Sequence, residues 1–198
     1  MDKIKICTVF ISMQEEDSDN YEKFKKIAKN KKIKINIVGA NDPVCPQIIH
    51  IEKDIYFDIL WPNTSKLITE NSLNNNSIVC KLHYNNFSIL FTGDIEEIAE
   101  KQILQEYQNN LNILNSMILK VAHHGSKTST TEEFLKVVKP RIALIGVGEN
   151  NKFGHPNEDV IDRLKAMNTK IYRTDKMGEI SIVISKEVKI KVKKLIKV

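Results

Sequence analysis

Apolar runs of strand length alternate with segments of helical spacing along this 198-residue chain, and that alternation restricts it to the α/β class. Ile4 to Ile11, Ile33 to Val38, Asp54 to Leu60, Ser77 to Leu82 and Ser88 to Phe91 read as strands. So do Met117 to Val121, Arg141 to Val147, Lys170 to Tyr172, Glu179 to Ile184 and Val188 to Val192. Asp19 to Asn30, Ile95 to Tyr107, Thr130 to Val138 and Asp159 to Met167 carry the helical period. Tyr21, Phe24, Ile27 and Ala28 form the apolar stripe of the first helix, with lysines on its solvated face. Ile98, Ile103, Leu104 and Tyr107 are the buried candidates of the second, and Thr130 or Thr131 caps the third. Pro62 ends a strand before a polar loop, Asn63 to Asn76. Asn85-Asn86 suits a hairpin turn, because Asn tolerates positive φ.

Seven glycines, five prolines and no internal repeat fit one domain, long enough to bury a core. No apolar run approaches the ~20 residues that a membrane-spanning helix needs. Met1 to Lys5 shows no apolar signal-peptide core. Cys7, Cys45 and Cys80 are odd in number and lack CxxC spacing, so no disulfide framework is expected. Cys7 and Cys80 lie in strand-like stretches, where cysteine behaves as a small hydrophobe. The formal charge of +5 resides in the tail, Lys186 to Val198, which holds six lysines and one glutamate. Such a tail can attract nucleic acid, but the alternation from Val188 to Lys193 favours an edge strand with its lysines outward.

Three strands run directly into polar, metal-competent residues, and strand ends are where α/β proteins build sites. Phe91-Thr92-Gly93-Asp94 presents one carboxylate at a tight turn, which either binds metal or caps the helix that follows. Lys120-Val121-Ala122-His123-His124-Gly125-Ser126 presents two adjacent histidines. Neighbours on an extended strand face opposite ways, so one of the pair is a ligand, with His124 favoured. The other then orients it or contacts a phosphate, and the Ser126 and Ser129 hydroxyls support either role. His155 lies in the polar loop Gly148 to Pro156 as a ligand, a substrate contact or a helix cap.

The ordered series TGD, HHGS with a following serine, the NxxGHP-like stretch Asn150 to Pro156, and YRTD at Tyr172 to Asp175 with Gly178 resembles the metallo-β-lactamase-like domain of ComEC-type DNA-uptake proteins. The resemblance runs from about Trp61 to Ile184. It implies an αββα sandwich with a dinuclear metal site at one edge of its two sheets. By that likeness Asp94 is the bridging aspartate, and Asp94, His123 and His124 are the candidate catalytic and metal-binding residues. Asn76 and Ser77 stand where many such proteins carry a histidine ligand. Asn76, Ser77, Ser126, Ser129, Asn150 and His155 are the candidate substrate contacts or supports.

The family's early HxHxDH motif is absent, and the first strand looks like the one that follows it. The expectation is therefore a fold incomplete at its N-terminus: a truncated gene, a fragment, or a chain completed by another. The resemblance further implies one or two Zn²⁺ or Mn²⁺ ions, lowering the pKa of water toward ~7 for attack on a phosphodiester or nucleic-acid strand. The missing N-terminal half, or the membrane channel portion of a longer parent, is the implied partner. The family domain is often extracytoplasmic. The competing expectation is a non-catalytic binding or assembly module that keeps the fold.

Overall fold

The computed structural model describes residues 5–14, 17–40, 46–185 and 187–196. In chain order the elements begin with β1 (Thr8–Ile11), α1 (Asp19–Asn30), β2 (Lys34–Ile37), β3 (Gln47–Glu52), β4 (Ile55–Trp61) and α2 (Ser72–Asn75). There follow β5 (Val79–Tyr84), β6 (Phe87–Phe91), α3 (Glu97–Glu106), β7 (Ile118–Lys120), α4 (Glu132–Val138) and β8 (Ile142–Ile145). The chain closes through α5 (Glu158–Ala166), β9 (Lys170–Arg173), α6 (Thr174–Met177), β10 (Ile180–Ile184) and β11 (Ile190–Lys194). Side-chain caps set three helix starts. The Ser18 hydroxyl accepts from Tyr21 N, Thr131 Oγ1 from Phe134 N, and the Asn157 carboxamide from Asp159 N.

Strands β3 to β9 form one sheet in sequence order. From β3 to β6 they pair antiparallel, and from β6 to β9 parallel. Parallel neighbours need crossovers, and α3, α4 and α5 supply them. The main core lies between these helices and the sheet, where Leu60, Trp61, Leu90, Leu119 and Ile145 meet Ile103, Phe134, Leu135 and Leu164. Trp61 is fully buried, and its indole N–H donates to Asn75 O at 2.6 Å.

The opposite face of the sheet carries Phe87, Ile89 and Ile118, against which Ile182 and Ile184 of β10 and Ile190 of β11 pack. β10 and β11 form an antiparallel pair in which Lys191 and Lys193 point to solvent. Helices, a mixed sheet and a second β layer are the layering implied by the metallo-β-lactamase resemblance. A separate parallel pair, β1–β2, is tied to the main sheet through Ala40 N, which donates to Pro62 O at 2.8 Å.

Several details differ from the sequence reading. The first strand begins at Thr8, and Ile4 lies outside the described residues. β3 was not anticipated, and the polar loop contains the short helix α2. Only Ala28 of the α1 stripe is buried. That helix has little to pack against besides β2. Cys7 is exposed rather than buried, and Cys45 lies outside the described residues. Cys80 fits its expected inert role, since burial pushes its thiol up to about 11. Among the described residues no helix is long and apolar enough to cross a membrane.

Candidate functional site

The parallel half of the sheet directs four segments to one end: Thr92–Asp94 after β6, Val121–Ser126 after β7, Gly146–Pro156 after β8 and Thr174–Asp175 after β9. Strand C-termini in a parallel sheet leave such a crevice. Gly93 takes φ +54°, and a Cβ there would lie 2.6 Å from the Ser77 Cβ. Glycine is therefore required to bring the two segments together. Ser77 Oγ accepts from the Asp94 backbone N–H at 3.2 Å. Helix α3 starts at Glu97 with Glu96 as its N-cap, so Asp94 is not the cap and its carboxylate faces the rim.

The two histidines sit on a tight turn, not on the strand. His123 and His124 both adopt left-handed backbone, with φ 46° and 55°. Two consecutive non-glycine residues in that region make a strained geometry. It turns the rings apart, so divergence holds for a reason other than strand alternation. His124 Nε2 lies 3.9 Å from Asp94 Oδ1, both side chains being about half exposed. Its Nδ1 lies 2.6 Å from the Gly146 carbonyl oxygen. That carbonyl can only accept, so Nδ1 carries a proton and Nε2 is the ring nitrogen turned toward Asp94. His123 turns the other way. Its Nδ1 is 3.5 Å from Glu96 Oε1, too poorly aligned for a hydrogen bond. Its ring meets His155 edge-on at 5.7 Å.

Glu96 was not singled out from the sequence, yet it gathers this side of the site. It accepts from Asn71 Nδ2 at 2.8 Å and from the Thr128 hydroxyl at 3.0 Å, and its own N–H donates to Asn75 Oδ1 at 2.9 Å. Glu100, one turn later, is fully buried and accepts from the Thr131 N–H and hydroxyl and from the Thr130 N–H. Burial raises its carboxyl above the usual range, while these donors oppose the shift. One signal was present: Glu100 falls on the helical stripe of Ile103 and Tyr107, where a carboxylate needs partners. Lys120 also lies close by. Burial lowers its ammonium pKa, and Asp94 raises it.

The remaining candidates separate. Ser129 Oγ donates to the carbonyls of Ala122 and Ser126, and Ser126 Oγ contacts Thr128 Oγ1 at 3.0 Å, so both close the histidine turn. Asn76 is buried and bonds both backbone groups of Ile68 and the Ser72 carbonyl. Its carboxamide is consumed there rather than offered to a ligand. Asn150 is exposed, and Asn151 performs the task instead. The Asn151 carboxamide accepts from His155 N at 2.8 Å and donates to His155 O at 2.6 Å. His155 is no helix cap, since Asn157 holds that place. Burial, then the nearby His123 and His124, lowers the His155 pKa. The YRTD stretch supports the same rim. Thr174 Oγ1 accepts from Val147 N and donates to Val147 O, each at 2.7 Å. His50 and His83 lie elsewhere on the sheet, His83 pairing with Asp58 at 2.8 Å and stacking on Tyr56.

Among the described residues no group of three or more His, Cys, Asp or Glu converges as a metal cage. Two oxygen–nitrogen pairs form at this rim, Asp94 with His124 and Glu96 with His123, and the first is the more open to solvent. At metal–ligand lengths of about 2.0–2.2 Å, two tetrahedral donors sit roughly 3.3–3.6 Å apart. At 3.9 Å the Asp94 and His124 donors are slightly wider than that, and these two half-exposed side chains would have to close by a few tenths of an ångström to share an ion.

No protein-family model matches the chain. It is 34% identical over 128 residues to ComE operon protein 3 of Bacillus subtilis, covering 65% of this chain and 16% of that protein. Competence protein ComA of Neisseria gonorrhoeae matches at 34% over 122 residues, 62% of this chain and 17% of that one. Recombination protein 2 of Haemophilus influenzae matches at 32% over 128 residues, 65% and 15% respectively. A solved structure described as a metal-dependent hydrolase, from Parabacteroides distasonis, overlaps 85% of this chain and 76% of its own at 12% identity. The TM-score of that overlap is 0.47. The chain spans about a sixth of the length of the curated relatives it matches. Over nearly two thirds of its length, the chain is similar to one segment of these longer ComEC-type competence proteins.

Proposed function

We propose that this chain carries part of a divalent-metal site that hydrolyses phosphodiester bonds in nucleic-acid strands. The observation behind this reading is the approach of Asp94 Oδ1 to His124 Nε2 at 3.9 Å, with the ring's other nitrogen engaged by the Gly146 carbonyl so that Nε2 is the one left for a ligand. Residues that merely pack a turn have no need of a part-exposed imidazole nitrogen set beside a part-exposed carboxylate. The competence relatives and the motif order support the substrate class.

In this reading Asp94 and His124 would contribute to holding a divalent cation, Zn²⁺ or Mn²⁺, whose chemistry when bound would be to acidify water for attack on phosphorus. The chain's own groups prepare that geometry. Ser77 fixes the Asp94 backbone, and Gly146 fixes the His124 ring. His123 stands between Glu96 and His155 and meets a substrate phosphate or exchanges its proton. Ser126 and Ser129 act through the turn that carries both histidines.

Asp94→Asn tests the reading. Asparagine keeps the shape and removes the charge, so Mn²⁺ or Zn²⁺ binding followed by calorimetry should fall at least tenfold while the thermal midpoint stays within a few degrees. Equal binding by both proteins removes Asp94 from the site. If neither binds metal nor cleaves an oligonucleotide, even with an HxHxDH segment supplied, the chain is a binding or assembly module.

A further inference from the structure

Beside Asp94 and His124 lies a cavity of about 420 Å³ whose walls include His124, Gly146, Phe153, His155 and Thr174. Its size is at the lower end of the ~300–1,000 Å³ typical of small-ligand pockets. At its mouth Phe153 is 82% exposed. The ring lies nearly parallel to the His155 imidazole, with centroids 6.0 Å apart and planes at 18°. One side of Phe153 thus faces an imidazole, and the ring is otherwise in water.

A single exposed apolar side chain is unremarkable. This one is held on a fixed base. Asn151 clamps both backbone groups of His155, and the next residue, Pro156, packs on Gly125 of the histidine turn. His155 also touches His123 edge-on. The platform is therefore mechanically joined to the turn that presents His124. The cavity also offers few free hydrogen-bonding groups. The Thr174 hydroxyl is committed to Val147, and the Gly146 carbonyl to His124. A ligand entering here is recognised by a flat face rather than by its edge.

We propose that the Phe153–His155 stack is a nucleobase platform, which takes an unpaired base of a single-stranded nucleic acid next to the phosphodiester facing Asp94 and His124. Every base has a π face, so such a platform tolerates any sequence. In a duplex both faces of an internal base are covered by neighbours, so the platform favours single strands and frayed ends. That the ligand is a nucleic-acid strand rests on the hydrolase reading above.

The test is a fluorescence titration of a short single-stranded oligonucleotide containing 2-aminopurine, with chelator present so that no metal-dependent cleavage intervenes. Stacking quenches the probe. The wild-type chain should bind and quench, Phe153→Trp should retain both, and Phe153→Ala should weaken binding about tenfold with loss of quenching. An abasic oligonucleotide should bind wild type and Phe153→Ala equally, because the phosphate contacts are unchanged. No quenching by wild type, or equal quenching by wild type and Phe153→Ala, overturns the proposal. Hydrolysis assays with added Mn²⁺ are read separately. Quenching that depends on Phe153, with no turnover even by the chain fused to an HxHxDH-bearing segment, retains the platform and removes the hydrolase reading.

Discussion

At the scale of single residues, the two histidines differ in what holds them. His124 has one nitrogen tied to a carbonyl and the other free toward Asp94. His123 has a buried nitrogen without a proper partner, beside Glu96. Separate alanine substitutions should therefore be unequal. His124→Ala should weaken Mn²⁺ or Zn²⁺ binding at least tenfold, as expected for loss of a ligand. His123→Ala should leave metal affinity within about threefold and act instead on oligonucleotide cleavage or binding. Calorimetry on both variants decides, and equal losses would contradict a single-ligand turn. The candidate site was legible residue by residue where side-chain chemistry is unusual: Asp94 after a strand, paired histidines, a histidine between Gly154 and Pro156. It was illegible where the work is done by ordinary hydrogen bonding. Nothing in the letters distinguishes Asn151, which clamps His155, from Asn150, which is exposed.

At the scale of elements, the α/β alternation and the buried side of α3 follow from periodicity, because these segments have a definite inside and outside; the span of α1 was legible too, but of its stripe only Ala28 is buried. β3 escaped because an edge strand with five of its six residues exposed carries no alternation to read. The histidine turn escaped because its shape comes from left-handed backbone at two non-glycine residues. Its neighbour Gly125 lies at φ +83°, and a Cβ there would sit 2.6 Å from Pro156 Cβ and 3.1 Å from Pro156 Cα. Gly125→Ala should therefore lower stability by roughly 1–3 kcal/mol, from the backbone region and the clash together. It should also push the His155 loop away. Amide spectra should shift at residues 151–157 and stay fixed around Trp61; shifts spread evenly over the chain would refute a local coupling.

The Arg173–Asp175 pair makes an element-scale prediction for pH. Two hydrogen bonds from the guanidinium hold the Asp175 carboxyl below the usual carboxylate range. The folded state then binds the proton less readily than the unfolded one. The stabilisation is complete above the unfolded value of about 3.9 and disappears as pH falls through the folded value. Asp175→Asn should therefore cost stability at pH 7 and much less near pH 2.5. Urea midpoints at the two pH values give the answer, and an equal gap at both would place the bridge outside the folding balance.

At the scale of the whole molecule, the covered and uncovered surfaces are distributed unevenly. The helix side of the main sheet is closed by a continuous core, whereas Ile6, Ile37, Ile51, Leu195 and Ile196 are each more than half exposed. Several of these belong to small two-stranded sheets or lie next to them, and two-stranded sheets are marginal on their own. Apolar surface and open strand edges favour association, so the purified chain should self-associate as its concentration rises, read by light scattering coupled to size exclusion. Metal affinity comes from several donors fixed in one geometry, and Asp94 with His124 supplies two. The chain by itself should therefore hold Zn²⁺ or Mn²⁺ weakly, exchange it readily, and turn over a phosphodiester reporter no faster than background. Fusing an HxHxDH-bearing segment from a ComEC-type relative ahead of residue 1 should tighten metal binding and produce turnover that Asp94→Asn abolishes. The decisive experiment is a metal titration of both proteins with the reporter present. Robust metal-dependent turnover by the chain alone, lost in Asp94→Asn, would mean that its own residues complete the site and that the ligand count of two is wrong.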